Sequence, residues 1–304
     1  AASESNALIN LGLHDFKPLD PGQLIHVDEH GKITFHQFAK SQRKAHCMFE
    51  WVYFSHVGSV IDNHSVYIAR KNLGTELAAL ETEKITDDCI VVAVPDTAKA
   101  ASDAYAFKLG IPPVEGLIRN RFVGRTFIEG SDREGKVLNK YTVLKEVLHG
   151  KRVFLVDDSI VRGTTIKQIV KILKEIGGAK EVHIRITCPP IRAPCFYGID
   201  MSTVGELLAS HFDGEIKTRD LSPKVCENIA KAMGADSLIY QSMDGLVRSI
   251  GIPEKDLCNA CLKGKYPTPC GKKLMKRRLR RLKAEFQFPS VLMKDDGWFV
   301  IAAT

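Results

Sequence analysis

The chain has 304 residues, 44% hydrophobic and 26% charged, enough to bury one large core or two smaller ones. No apolar run approaches the roughly 20 residues that a membrane-spanning helix needs, which excludes that class. The net charge of +7 points to nucleic acid only weakly: Lys272 to Lys283 carry eight of the 43 basic residues, and the remaining 35 face 36 acidic ones.

The opening, AASESNALIN, has neither the basic start nor the apolar block of a signal peptide, so a cytoplasmic protein is expected. Its eight cysteines then read as reduced thiols or metal ligands rather than a disulfide framework. Residues 22–38 alternate on either side of a turn-rich centre, Asp28 to Lys32, and predict a β-hairpin. From Cys47 strand-then-helix units follow. CIVVAVPD is a strand before an Ala-rich helix ending at Gly110, and PPVEGLIRN is a short strand. RVFLVDD is a strand followed by a helix with Ile166, Ile169, Val170, Leu173 and Ile176 at helical spacing. EVHIRIT alternates its apolar residues and stops at Pro189-Pro190. Strands alternating with helices predict an α/β fold, a mostly parallel sheet with helices on both faces. Residues 124–151 are polar, glycine-punctuated and longer than most ordered connections, so disorder or a closing lid is expected there.

The chemistry concentrates in FLVDDSIVRGTT. Asp157 and Asp158 stand at the carboxyl end of a strand, where open parallel sheets bind ligands. The helix amino terminus that follows favours an anion, Gly163 permits close approach, and Thr164 and Thr165 add hydroxyls. The acids can accept from vicinal ribose hydroxyls or help hold Mg²⁺, so the pair and loop suit a ribose 5′-phosphate. A plain helix cap is the alternative. A Walker loop would need a Lys directly before the Ser/Thr. VPDT alone reads as a helix cap by Asp96 or Thr97. Cys258 and Cys261 form the one C-x-x-C, which serves metal, redox chemistry or neither; the lack of a second argues against a zinc ribbon. Lys272 to Lys283 read as a solvated amphipathic helix with Leu274, Met275, Leu279 and Leu282 packing inward, ahead of an arm for RNA.

VDDSIVRGTT resembles the phosphoribosylpyrophosphate (PRPP) motif of type I phosphoribosyltransferases. FEWVYF, GLIRNRFVGRTFI, PPIRAPCFYGID, GELLAS, GADSL and CLKGKYP extend the resemblance to the glutamine PRPP amidotransferases, from Ala2 to Pro267. The resemblance implies that Asp157 and Asp158 bind the ribose hydroxyls and Mg²⁺. Ser159, Ile160, Val161, Arg162, Gly163, Thr164 and Thr165 would bind the 5′-phosphate. Asp96 and Thr97 would form the pyrophosphate loop, with Thr97 where the family carries a Mg²⁺-contacting Ser; the following AKAA departs from the family pattern. Arg125, with Lys99 and Arg121, would neutralise pyrophosphate as it leaves and ammonia attacks, giving phosphoribosylamine, and residues beyond Arg125 would close as a lid. Cluster-bearing members hold 4Fe–4S on cysteines matching Cys47, Cys195, Cys258 and Cys261; zinc is the competing metal and Cys270 an alternative ligand. Cys89, Cys188 and Cys226 are expected to be buried apolar residues.

The implied domains are a glutaminase remnant and linker (1–46), a type I phosphoribosyltransferase (47–250) and a carboxyl-terminal segment with the cluster pair and basic run (251–304). Ala1 stands apart from the catalytic amino-terminal Cys of complete members, so glutamine hydrolysis is expected to be absent, the chain being a fragment or having a separate glutaminase partner. Purine nucleotides are the implied feedback inhibitors, and a homo-oligomer is implied. A regulatory module that binds PRPP or purine nucleotides without turnover is the alternative function.

Overall fold

In this computed structural model, the described residues are 1–41, 43–120, 140–201, 204–213, 216 and 218–285, without the side chains of 204, 279 and 281–285. They fall in two units, Ala1–Lys265 and Tyr266–Thr304. The first is organised by four parallel strands: β1 (Cys89–Ala93), β2 (Arg152–Asp157), β3 (Glu181–Ile186) and β4 (Ser237–Tyr240). They lie side by side in the order β4-β3-β2-β1, and Asp157 pairs in register with Ile186.

β2 is buried from Val153 to Asp157, as its run of apolar residues requires of a strand covered on both faces. Val153 and Leu155 pack with Ile166, Ile169, Val170 and Leu173 of helix Thr164–Glu175 and with Ile229 of helix Pro223–Met233. Phe154 and Val156 face the other way, towards Leu77 of helix Val66–Ala78 and Tyr105 of helix Lys99–Leu109. The helices therefore cover both faces. Ile176 does not join this packing: the helix ends at Glu175, and Ile176 is 46% exposed.

The hairpin is present as Gln23–Val27 paired antiparallel with Ile33–Gln37, with Asp28 Oδ1 accepting from Lys32 N at 2.8 Å in the turn. PPVEGLIRN yields Leu117–Arg119, which pairs antiparallel with Tyr141–Val143 outside the main sheet. Residues 140–151, the end of the segment expected to be disordered or a closing lid, hold that second strand and the helical turn Lys145–Leu148; the earlier part of the segment lies outside the described residues. Tyr141 and Leu148 are buried, and this burial gives the polar segment a reason to order at its end. In the second unit, Pro269–Glu285 is a helix, but Leu274 is 38% exposed rather than packed inward. Among the described residues no helix is long and apolar enough to cross a membrane.

The alternation of EVHIRIT does not mark a solvent-facing side. His183 and Arg185 are as buried as Val182, Ile184 and Ile186. Arg185 donates to Glu81 through Nε at 2.6 Å and Nη2 at 2.7 Å, and Tyr105 donates its hydroxyl to the same carboxylate. His183 stacks on Phe154 with ring centroids 5.0 Å apart. A charged residue can occupy the inner face because each of its hydrogen-bonding groups is met there. Burial alone would raise the Glu81 pKa, but the hydrogen bonds and charge of Arg185, with Tyr105, bring it down to about 2 from an ordinary 4.5. A carboxyl group lowered in this way stabilises the fold above its unfolded pKa and loses that contribution as pH falls towards the folded value. Glu81→Gln should therefore cost about 3–5 kcal/mol at neutral pH by stranding the Arg185 charge. Urea unfolding should show the difference from the native chain shrinking as pH falls from 4.5 towards 2.

Candidate active site and cysteine centre

The strand that ends at Asp157 delivers two successive carboxylates, both buried, to the carboxyl edge of the sheet. Their backbone is held by the neighbouring strand: Thr187 N donates to Asp157 O at 3.0 Å and Cys188 N to Asp158 O at 2.9 Å. Asp157 Oδ1 accepts from Asp158 N at 2.8 Å, and Asp158 Oδ1 accepts from Ser159 Oγ at 2.6 Å. Thr97 Oγ1 donates to Asp158 Oδ2. Burial raises the pKa of both acids, and the charge of Asp158 raises Asp157 further. Ser159, Thr97 and Arg70 act in the opposite direction on Asp158, favouring its charged form.

Thr97 therefore does not act as a cap. Ala98 precedes helix Lys99–Leu109 and supplies no side-chain cap, while the Thr97 hydroxyl is turned to the acid. Asp96 is exposed and pairs with Arg119 at 2.7 Å, and Lys99 pairs with Glu115 at 2.7 Å. Arg121 and Arg125 lie outside the described residues.

The loop after the acids turns through Gly163, whose φ of +78° strains any side chain. A Cβ there would also meet Leu208 Cδ2 at 2.8 Å. Helix Thr164–Glu175 has no side-chain cap, so its first N–H groups open towards the loop, and Thr164 and Thr165 are exposed beside them. Ile160 is buried and anchors the loop. Leu208 N donates to Val161 O at 2.8 Å, and Arg162 Nε donates to Glu206 at 2.9 Å. A buried acid pair thus faces an uncapped, electropositive helix end across a five-residue loop, Ser159 to Gly163.

Three chain segments bring Cys47, Cys195, Cys258 and Cys261 together. His46–Cys47 pairs in parallel with Leu257–Cys258, placing Cys47 opposite Cys258. The Cys261 carbonyl accepts from Arg192 N and Ala193 N, each at 2.9 Å, close to Cys195. Burial pushes the Cys47 thiol up to about 11, and the nearby Cys258 and Cys195 act in the same direction. Cys258 and Cys261 are raised as well, again chiefly by burial. Tyr197 N donates to Cys195 Sγ at 3.4 Å, and the backbone at Phe49 and Ala260 acts against burial on the Cys47 and Cys258 thiols. Among the described residues, no group of three or more His, Cys, Asp or Glu is placed to hold a metal ion. Cys89 and Cys188 are buried, Cys226 is half-buried rather than enclosed, and Cys270 is exposed.

Two contributors escaped the sequence reading. Arg70 is buried, donates to the carbonyls of Trp51 (2.9 Å), Tyr53 (3.0 Å) and Ser55 (2.8 Å), and sets its charge near Asp158. Its signal was available: Arg70 shares the apolar stripe of Val66, Leu73 and Leu77, where an unpaired charge has no place. Arg192 is also buried and donates to Asp213 and Thr218 O at 3.0 Å and to Arg219 O at 2.8 Å. No local pattern marks it.

No family model matches the chain. The amidophosphoribosyltransferase of Methanothermobacter thermautotrophicus is 44% identical over 270 residues, covering 88% of this chain and 53% of that protein. That of Bacillus subtilis is 42% identical over 273 residues, covering 88% and 54%. Among solved structures, the glutamine PRPP amidotransferase of B. subtilis complexed with ADP and GMP matches with a TM-score of 0.74 at 40% identity, over 88% of this chain and 56% of that one. A structure described as the allosteric regulatory enzyme of purine biosynthesis matches equally, with a TM-score of 0.74 and 55% of its chain covered. The chain spans about half the length of the curated relatives it matches. With this identity and this parallel sheet, it is a homologue of the amidophosphoribosyltransferases and has the type I phosphoribosyltransferase fold.

Proposed function

We propose that the chain carries the phosphoribosyl-transfer half of an amidophosphoribosyltransferase. In this reading ammonia displaces pyrophosphate from C1 of PRPP and gives 5-phosphoribosylamine. The buried acid pair followed by an uncapped helix amino terminus carries the proposal, because a ribose with a 5′-phosphate needs both features in one site. Residues Ser159 to Thr165 take the 5′-phosphate on backbone N–H groups and the Ser159, Thr164 and Thr165 hydroxyls. Asp157 and Asp158 accept from the ribose hydroxyls. Asp96 and Thr97 line the pyrophosphate side, and Arg125, with Lys99, offers positive charge to the leaving group. Bound Mg²⁺, held with the help of Thr97, Asp157 and Asp158, would supply further neutralisation of pyrophosphate. The residues fit it: two buried carboxyl groups with raised pKa values lack a full counter-charge, which a divalent cation would provide.

Residues 1–46 are proposed as the end of a glutaminase domain, residues 47–250 as the transferase, and residues 251–304 as the carboxyl-terminal segment. The B. subtilis neighbour is complexed with ADP and GMP, so purine nucleotides are the inhibitor class to expect here. A homo-oligomer acting in the cytoplasm completes the reading.

We assign the centre of Cys47, Cys195, Cys258 and Cys261 to a 4Fe–4S cluster. Four cysteines from three chain segments lie within electrostatic reach of one another, and the Tyr197 N–H that donates to Cys195 Sγ favours a thiolate there. A four-iron cluster takes one thiolate at each iron, so its ligands stand farther apart than those around a single ion, and the grouping is compatible with it. When bound, the cluster would supply a structural clasp, since the transfer reaction moves no electrons. Anaerobically purified protein should be brown with about four irons per chain. Stoichiometric zinc in its place would remove this assignment.

The transfer reaction itself is tested by ammonia-dependent release of pyrophosphate from PRPP. PRPP binding without release would identify a regulatory module instead. The double variant Asp157→Asn/Asp158→Asn should lose Mg²⁺-dependent PRPP binding, and calorimetry showing unchanged affinity would remove the pair from the site.

A further inference from the structure

Asn259 lies inside the C-x-x-C, between Cys258 and Cys261, and is 6% exposed. Neither its Nδ2 nor its Oδ1 has a hydrogen-bond partner among the described residues. The residue immediately precedes helix Ala260–Lys263, where Asn ordinarily caps with its side chain, yet it makes no such bond. Its carbonyl does accept, from Leu262 N at 3.1 Å and Lys263 N at 3.0 Å. The backbone is thus engaged while the amide is left over.

A buried donor without an acceptor costs about 1–3 kcal/mol, and such groups are rare in native interiors unless a ligand meets them. The neighbours of Asn259 along the chain are cysteines. Cys258 and Cys261 flank it, and each lies within electrostatic reach of Cys195. Neutral thiols are poor acceptors, whereas metal-bound thiolates and sulfides accept N–H readily. The same preference is already expressed by Tyr197 N, which donates to Cys195 Sγ at 3.4 Å. An unpaired Oδ1 that remains is the lesser defect, because under-satisfied oxygens are commoner than orphaned N–H groups.

We propose that Asn259 Nδ2–H donates to a sulfur of the cysteine-bound iron–sulfur centre, as a positioning residue that steadies the cluster and raises its reduction potential. This rests on the 4Fe–4S reading above. An added electron increases the negative charge on the sulfurs, so a donor stabilises the reduced form more than the oxidised form. Removing the donor makes reduction harder and leaves the sulfurs less firmly oriented.

The test compares anaerobically prepared full-length chain with Asn259→Leu, which keeps the branched shape and deletes the amide. Iron content of the native chain is measured first. Its absence would overturn the cluster reading, and this proposal with it, before any variant is compared. With iron present, Asn259→Leu should show a more negative midpoint potential and roughly tenfold faster iron loss to a chelator. The metal-free variant should unfold at the same temperature as the metal-free native chain, or higher, because an unpaired amide has left the interior. A merely structural Asn would lower that temperature and leave the potential unmoved. Unchanged potential and unchanged iron loss overturn the proposal while leaving the cluster reading intact. If Asn259→Leu does not fold, Asn259→Ala removes the donor without added bulk and is decided by the same two readings.

Discussion

Two adjacent carboxyl groups buried at the end of a strand are the constraint around which this molecule is arranged. Neither can be ionised cheaply there, since burial raises both and the charge of Asp158 raises Asp157 further. The surrounding elements each supply part of the compensation. Helix Val66–Ala78 contributes the charge of Arg70, the loop after β1 contributes Thr97, and the loop after β2 contributes Ser159. β3 occupies the acids' backbone carbonyls through Thr187 and Cys188. The compensation is incomplete, since burial still raises both acids above their ordinary range.

The run from Thr187 to Cys195 links the two centres. At one end its N–H groups bind the carbonyls of the acid pair, and at the other those of Arg192 and Ala193 bind Cys261. Between them Arg192 is buried with its guanidinium spread over Leu262 O, Asp213, Thr218 O and Arg219 O. Cys188 lies along this run, and its thiol is raised by burial and then by Asp158 and Cys47. A single peptide segment is therefore packed against both the acid pair and the cysteine centre. Disorder at the cysteines would reach the acids through backbone hydrogen bonds rather than through solvent.

Arg70 and Arg185 illustrate how buried cations are tolerated differently. Arg70 is satisfied by three carbonyls of the π-helical turn Glu50–Phe54 and its exit, so its net charge remains available to Asp158. Arg185 is matched by the Glu81 carboxylate and lies over Phe154, 5.2 Å from the ring centroid, so its charge is cancelled locally. The first shapes the site electrostatically. The second ties β3 to the chain segment that carries Glu81.

The strand, loop and helix around Asp157 were legible in the sequence because every signal is local: an apolar run, a glycine, two threonines and a helical period follow one another. The hairpin turn and the helix end at Gly110 were legible for the same reason. Ile176 misled because periodicity does not say where a helix stops. The alternation of EVHIRIT distinguishes two faces without saying what meets either; Arg185 is buried only because Glu81, 104 positions away, comes to meet it. The roles of Arg70 and Arg192, the turn of Thr97 towards Asp158 and the isolation of Asn259 belong to the same class. By itself the sequence determined the local grammar of the sheet and of the loop after Asp158. Tertiary structure decided which polar groups are buried and what meets them, because burial and hydrogen bonding depend on distant segments that no window of neighbouring residues contains.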